Sequence, residues 1–162
     1  MFRRVSITVV KDLAQVEAWA QTAEGPLVLI IDADNTVVRQ GAPPAEFAEQ
    51  VTRTIDRFGA TPAVERVICL SNGPPRGVEG MINRGNKPWT SSRRLGLVDS
   101  DSAVWVVGDQ ILTDGLLAWR LGADFFHHAI TQTGEHPRQA FMRALGRIVG
   151  RLFFSEVDRT VG

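Results

Sequence analysis

Two aspartates, Asp32 and Asp34, directly follow the aliphatic run Leu-Val-Leu-Ile-Ile at residues 27–31. Five consecutive aliphatic residues are typical of a strand that is buried on both faces of a parallel sheet. Reacting groups in such folds gather at the carboxyl ends of the strands. Two carboxylates placed there repel each other and are costly to desolvate, so they need a metal ion, a proton or a cationic side chain as a partner.

Two further acids, Asp109 and Asp114, follow a second aliphatic run at residues 103–107. If both runs form parallel strands, three or four of these carboxylates can surround one cation. Hard oxygen ligands that leave room for water favour Mg²⁺. Asp114 could instead cap the helix that begins near it. The sequence therefore predicts a magnesium site and leaves the role of Asp114 open.

A serine and a lysine provide the other groups that phosphoryl transfer needs. Beside Mg²⁺, an aspartate can attack a phosphoryl group and form an aspartyl-phosphate. Ser71 could donate a hydrogen bond to a phosphoryl oxygen, and Lys87 could offset the developing charge. Taken singly, Ser71 is also a common turn residue and Lys87 a common surface charge. The chain has sixteen arginines but only two lysines, so a lysine beside Pro88 favours a site that needs a compact ammonium.

The elements that must position these groups alternate along the chain. Helices are predicted at residues 12–22, 45–58, 88–95, 113–121 and 137–154, and strands at 27–31, 64–70, 103–107 and 123–127. Residues 73–85, rich in glycine and proline, are predicted as a loop that could include a short edge strand around Met81 and Ile82. The alternation predicts one α/β domain over residues 1–162, a three-layer Rossmann-like fold with a mainly parallel sheet. The ends of the strands before Asp32, Ser71 and Asp109 would then share one edge.

Composition excludes several other classes of protein. The chain of 162 residues is 44% hydrophobic and carries eighteen basic and eighteen acidic residues, so no overall charge attracts it to nucleic acid. Cys69 is the only cysteine, which excludes an intrachain disulfide or a cysteine-based zinc cluster. We see neither a signal peptide nor an apolar segment of the ~20 residues that a membrane span requires. A soluble, cytoplasmic protein is therefore predicted.

Four short motifs occur in a defined order, each at the kind of element described above. They are Asp32-Ala-Asp-Asn-Thr-Val, Ser71-Asn72, Lys87-Pro88 and Gly108-Asp109-Gln-Ile-Leu-Thr-Asp114. Their combination resembles the four motifs of the haloacid dehalogenase (HAD) superfamily, over roughly residues 27–129. The residues of these motifs are similar to those of the small phosphatases related to mitochondrial phosphatidylglycerophosphate phosphatase.

The resemblance implies a HAD-like fold, Mg²⁺ as cofactor and a role for each motif residue. The implied catalytic residues are Asp32 as nucleophile, Asp34 as general acid and base, and Lys87, which holds Asp32 and the phosphoryl group. The implied substrate phosphate-binding residues are Ser71, Asn72 and Lys87. The implied metal ligands are Asp32, Asp34 through its backbone carbonyl, Asp109 and Asp114, the last supporting the site.

The chain departs from the superfamily pattern in two places. Only fifteen residues separate Ser71 from Lys87, where the superfamily usually has a helix and a third strand, so this edge could be rebuilt. Neither that segment nor the stretch after Asp34 has room for a cap domain. The resemblance therefore implies a capless, open site, which suits a bulky or lipid phosphate, or closure by another subunit.

The C-terminal helix at about residues 137–154 has an apolar side next to a row of arginines. The apolar residues are Phe141, Leu145, Ile148, Leu152 and Phe153, and the arginines are Arg143, Arg147 and Arg151. Such a helix usually covers a sheet with its apolar side. It could also lie on an anionic membrane, as a peripheral contact, or form a homo-oligomer contact.

These observations predict a Mg²⁺-dependent phosphomonoester hydrolase that acts on a phosphorylated substrate through an aspartyl-phosphate. One alternative is a Mg²⁺-dependent nuclease of the small α/β type, which needs neither Ser71 nor Lys87 and usually has a basic groove. Another is a catalytically silent HAD-fold binding module. The presence of every expected reactive side chain argues against the silent module.

Overall fold

The computed structural model describes residues 4–98, 101–129, 137–157 and 159, with the side chains of the last helix from residue 144 onward. Seven parallel strands form one sheet in the order β4-β3-β2-β5-β6-β1-β7. The strands are β1 Val5–Val10, β2 Leu27–Asp32, β3 Val64–Leu70, β4 Met81–Ile82, β5 Ala103–Gly108, β6 Asp124–His128 and β7 Phe154–Glu156. The helices are α1 Leu13–Gln21, α2 Pro44–Gly59, α3 Leu116–Leu121 and α4 Pro137–Phe153. A short π-helix, Ile111–Gly115, leads directly into α3.

The sheet separates two apolar cores, and the central strand β2 contributes to both. Leu29 and Ile31 pack with α1 and α2 on one face, whereas Val28 and Ile30 pack with α3 on the other. All six residues of β2 are buried, as the aliphatic run predicts. The predicted three-layer α/β fold with a parallel sheet is therefore confirmed, and it carries no cap within the described residues.

Strand order places a topological switch point beside β2. The chain passes from β2 to β3 and β4 on one side of the sheet, then returns to β5 and β6 on the other. Connections leave in opposite directions on the two sides of such a point and open a crevice at the carboxyl ends of the strands. The crevice lies at the ends of β2, β3 and β5, the three strands that precede the predicted site residues.

Most predicted elements are found within two residues of their predicted limits, including the short edge strand at Met81 and Ile82. The strands β1 and β7 were not predicted; they pair with each other and extend the sheet beyond β6. The predicted helix over residues 113–121 begins instead as a π-helix at Ile111. The last predicted strand, 123–127, is found one residue later and ends at His128.

The predicted helix over residues 88–95 is wrong, because residues 87–98 form a succession of turns. The Ser91 hydroxyl accepts a hydrogen bond from the Arg94 amide at 3.2 Å, as at a helix N-cap, and Leu95 N bonds to Ser91 O at 3.2 Å, but only this one turn forms. Gly96, with φ of +63°, then turns the chain in the left-handed conformation. The segment is anchored by Leu95, which is buried in the second core.

Over residues 144–153, helix α4 contacts the π-helix through Gly146 and Gly150, while the predicted apolar residue Phe141 lies outside the described side chains. A Cβ built on Gly146 would lie 3.4 Å from Ile111 Cβ, and one built on Gly150 would lie 3.7 Å from Ile111 Cδ1. Phe153 packs edge-on against Trp119, with ring centroids 4.9 Å apart. Three predicted core residues of the helix are exposed instead: Leu145, Ile148 and Leu152. The membrane or subunit contact through this helix stays a prediction.

None of the helices in the described part of the chain combines the length and the apolar character that crossing a bilayer requires. The predicted cytoplasmic location stays a prediction.

Candidate active site

The predicted site residues meet at the carboxyl ends of three adjacent strands. Asp32 is the last residue of β2, Ser71 follows β3, and Asp109 follows β5. The strands pair β3-β2-β5, with Asp32 beside Leu70 and Ile31 beside Val107. The register therefore brings residues nearly eighty positions apart in sequence to one edge of the sheet.

Three carboxylates form a compact group at this edge. Asp32, Asp109 and Asp114 each offer one oxygen, and these oxygens all lie within 4.8 Å of one another. Asp32 is 6% exposed and Asp114 only 1%, so both are almost completely removed from solvent. The Asp34 carboxylate does not belong to this group; its oxygens contact Ser71 and Arg76 instead. The predicted metal role of Asp34 thus rests on its backbone carbonyl.

Lys87 ties the carboxylate group together from within. Its buried ammonium donates to Asp32 Oδ1 and to Asp114 Oδ1, the latter at 2.6 Å. Burial alone would lower the pKa of this lysine, but the charges of Asp114 and Asp32 and the hydrogen bonds outweigh it and raise the pKa. Lys87 is therefore a permanent cation of the site and not the surface charge that its sequence position also allowed.

One ammonium does not compensate three carboxylates. Burial and the neighbouring Asp114 raise the pKa of Asp32 well above its usual range, although Lys87 opposes the shift. The same two causes raise the pKa of Asp109 to about 7. An all-oxygen donor set with surplus negative charge fits a divalent cation, and Asp32, Asp109 and Asp114 are the residues whose carboxylates would hold it.

Gly108 and the π-helix make room for Asp114. A Cβ built on Gly108 would lie 2.3 Å from both Cγ and Oδ2 of Asp114, so only glycine leaves this carboxylate its place. Asp114 Oδ2 also accepts a hydrogen bond from the Gln110 amide at 3.2 Å. Helix α3 has Gly115 at its N-cap, with no side-chain hydrogen bond. Asp114 therefore does not cap α3; its bond to the Gln110 amide closes the start of the π-helix while its other oxygen binds Lys87.

Ser71 and Asn72 follow β3, the strand on the other side of β2 from Asp109, and they bind different partners. The fully buried Ser71 hydroxyl donates to Asp34 Oδ2 at 2.5 Å and accepts from the Gly73 amide at 2.9 Å. Asn72 Oδ1 accepts from the Lys87 amide at 2.8 Å. Asn72, predicted to contact phosphate, thus holds the backbone of the Lys87 loop against the end of β3.

Several residues of the site were not assigned a role from the sequence. Thr36 donates to Asp32 Oδ2 at 3.2 Å, and His127 Nε2 lies 3.1 Å from the Asp109 carbonyl oxygen. The Asn35 side chain hydrogen-bonds Asp109, which opposes the rise of its pKa. Arg76 Nη1 lies 2.9 Å from Asp34 Oδ1. Thr36 and Asn35 are part of the first motif and could have been found there, whereas no local pattern marks Arg76.

No family model, no curated protein and no solved structure matches this chain. The resemblance to the HAD superfamily stays a prediction.

Proposed function

We propose that this protein is a Mg²⁺-dependent phosphomonoester hydrolase that acts through an aspartyl-phosphate on Asp32. The observation that carries the proposal is the buried Lys87, whose ammonium joins Asp32 to Asp114 within the three-carboxylate group. A cation in contact with the attacking carboxylate can remain in contact with the phosphoryl group that this carboxylate accepts. A metal site that only polarises a water molecule does not need such a lysine.

The first half of the reaction breaks the ester bond of the substrate. One carboxylate oxygen of Asp32 attacks phosphorus, and the bond from phosphorus to the leaving oxygen breaks. Asp34 gives its proton to the leaving oxygen, which departs as an alcohol. Ser71 and Lys87 donate hydrogen bonds to the phosphoryl oxygens. Bound Mg²⁺ supplies positive charge next to the phosphoryl group.

The second half releases phosphate and restores the enzyme. Asp34 takes a proton from a water molecule whose oxygen attacks phosphorus, and the bond from phosphorus to the Asp32 oxygen breaks. Inorganic phosphate leaves, Asp32 is again a carboxylate, and Asp34 again carries a proton. Asp34 can serve both steps because its side chain is 26% exposed and so open to substrate and water.

A panel of phosphomonoesters tests the proposal. Release of phosphate from an aryl phosphate should require Mg²⁺, and Asp32→Asn should lower it by at least about a thousandfold, since the nucleophile is lost. Lipid, nucleotide, sugar and peptide phosphates in the same panel would define the substrate class. Cleavage of RNA or DNA without hydrolysis of any phosphomonoester would contradict the proposal and favour the nuclease alternative.

A further inference from the structure

Arg76 is the charged residue at the site that has no part in the reaction described above. Its guanidinium carbon lies 4.0 Å from the centroid of the Phe47 ring, and its Nη1 lies 2.9 Å from Asp34 Oδ1. Phe47 is 3% exposed and anchored in the core, whereas the Arg76 side chain is 31% exposed. The guanidinium is thus fixed over a rigid ring while one side of it remains open to solvent.

The same guanidinium lies close to the hydroxyl of Ser71. A Cβ built on Gly73 would lie 3.1 Å from Ser71 Oγ, 3.3 Å from Arg76 Nη2 and 3.8 Å from Asp34 Oδ2. Two hydrogen-bond donors and one carboxylate therefore converge closely on Gly73, and even a methyl group there would be crowded. An anion can reach these donors only when the Arg76 side chain, which is 31% exposed, shifts away from Asp34.

In this arrangement both donors are turned toward the same carboxylate. Arg76 contacts Asp34 Oδ1 and Ser71 donates to Asp34 Oδ2, so Asp34 occupies donors that would suit a tetrahedral anion. A guanidinium offers five N–H groups in a planar fork that matches two oxygens of a phosphoryl group. Lys87, by contrast, uses two of its three N–H groups on Asp32 and Asp114, which leaves one for the phosphoryl group.

We propose that Arg76 positions the substrate: its side chain shifts away from Asp34 and, together with Ser71, binds the phosphoryl dianion beside Gly73, exchanging its contact with Asp34 for contacts with the phosphoryl oxygens. The exchange frees the oxygens of Asp34 for the leaving group. This inference rests on the proposed function for its substrate, but anion binding at Arg76 can be measured without catalysis.

Binding of inorganic phosphate in the presence of Mg²⁺, measured by titration calorimetry, tests the inference. Arg76→Ala and Arg76→Gln should each raise the Kd for phosphate at least about tenfold, because a charge-assisted bidentate contact is lost. Arg76→Lys should recover part of the affinity, since it keeps the charge but not the fork. Arg53→Ala is the matched control, because Arg53 pairs with Glu49 on the exposed side of α2.

Kinetics with an aryl phosphate separate this inference from the proposed function. Arg76→Gln should raise KM by the same factor as Kd and change kcat much less. If the wild-type protein hydrolyses the ester and the Arg76 variants keep its phosphate Kd and KM, the inference fails and the proposed function stands. If phosphate binding depends on Arg76 but no ester is hydrolysed, the proposed function fails and the anion site stands. Loss of thermal stability with unchanged phosphate affinity would show a purely structural role and overturn the inference.

Discussion

At the scale of residues, we predict that Asp109 makes the stability of the protein depend on pH and on Mg²⁺. Its pKa is raised to about 7 in the folded protein by burial and by Asp114, and the pKa of Asp32 is raised by the same causes. A carboxyl group with a raised pKa stabilises the fold fully below its unfolded pKa, near 4, and loses that contribution as pH rises through its folded pKa. Without metal, stability should therefore fall between about pH 4 and pH 7.

Thermal unfolding without and with Mg²⁺, at pH 5 and pH 8, measures this effect. We expect the Tm without metal to be lower at pH 8 than at pH 5. The free energy of unfolding should fall by an amount on the order of 1–4 kcal/mol over the same change in pH. Mg²⁺ should raise Tm more at pH 8 than at pH 5, because it binds the ionised carboxylates. Asp109→Asn should flatten the pH dependence and reduce the effect of Mg²⁺, whereas the exposed Asp101→Asn should change neither. A Mg²⁺ effect independent of pH would contradict the assignment.

Gly108→Ala tests the space that Asp114 occupies. The added Cβ would overlap the Asp114 carboxylate, which would have to leave both Lys87 and the carboxylate group. We expect a loss of roughly 2–4 kcal/mol in stability and of most of the Mg²⁺-induced rise in Tm. Gly59→Ala is the control, since no atom lies within 4 Å of a Cβ at that position. If the two variants had the same stability and the same Mg²⁺-induced rise in Tm, the described position of the Asp114 carboxylate against Gly108 would be contradicted.

At the scale of residues, sequence was informative where a side chain follows a strand. Asp32, Ser71 and Asp109 could be predicted because the end of each aliphatic run marks a strand end, and parallel strand ends share one edge. Gly108 stands in the fourth motif, but its steric role could not be predicted, because that role comes from the Asp114 carboxylate packed against it. Arg76 lies in an irregular loop, so only the folded structure brings it to Asp34.

At the scale of elements, a hydrogen bond joins the two loops that carry Asn72 and Lys87 at the site. The loop after β3 carries Asn72, whose amide oxygen binds the backbone N–H of Lys87. Asn72→Ala removes this contact without touching the carboxylates or the ammonium. We expect kcat for an aryl phosphate to fall by roughly ten- to a hundredfold, since small displacements of catalytic groups have effects of that size.

The Asn72 variant should keep most of its Mg²⁺-induced rise in Tm, because the three carboxylates remain. Gln50→Ala, on the exposed side of α2, serves as its control. An unchanged kcat for Asn72→Ala would mean that the loop positions Lys87 without help from Asn72.

The packing of α4 on the π-helix leads to a prediction of opposite sign. Among the described residues, a Cβ on Gly150 would meet Ile111 Cδ1 alone, at 3.7 Å, which is an ordinary van der Waals contact. Gly150→Ala should therefore stabilise the protein by about 0.5–1 kcal/mol through the higher helix propensity of alanine. Urea unfolding measures the change. Clear destabilisation would contradict the described packing of α4 on Ile111.

Element prediction failed where tertiary contacts decide the local structure. The three-residue strand β7 has no recognisable local pattern and exists because β1 pairs with it. Residues 88–95 carry Pro88 at a position that suits a helix, but Ser91 and Gly96 favour turns. For helix α4 the sequence period predicted the helix correctly, but it did not predict which of the described side chains are buried. Gly146 and Gly150 face the domain, where the sequence pattern favoured larger apolar residues.

At the scale of the whole molecule, the fold gathers the residues of the candidate site at one edge of the sheet. The alternation of strands and helices was sufficient to predict the α/β class, because a parallel sheet needs a helix or loop crossover after each strand. The switch point beside β2 explains why Asp32 lies at the centre, between Ser71 on one neighbouring strand and Asp109 on the other. Sequence periodicity could not give the strand order, because order depends on which strands pair across the sheet.

Rapid-quench mass spectrometry can detect the proposed covalent intermediate on Asp32. The wild-type protein is mixed with an excess of aryl phosphate and Mg²⁺, quenched in acid within the first turnover and digested. We predict one added phosphoryl group on the peptide that contains Asp32, and none in the Asp32→Asn variant. Mg²⁺-dependent turnover without that adduct, continuing in the Asp32→Asn variant, would contradict the account.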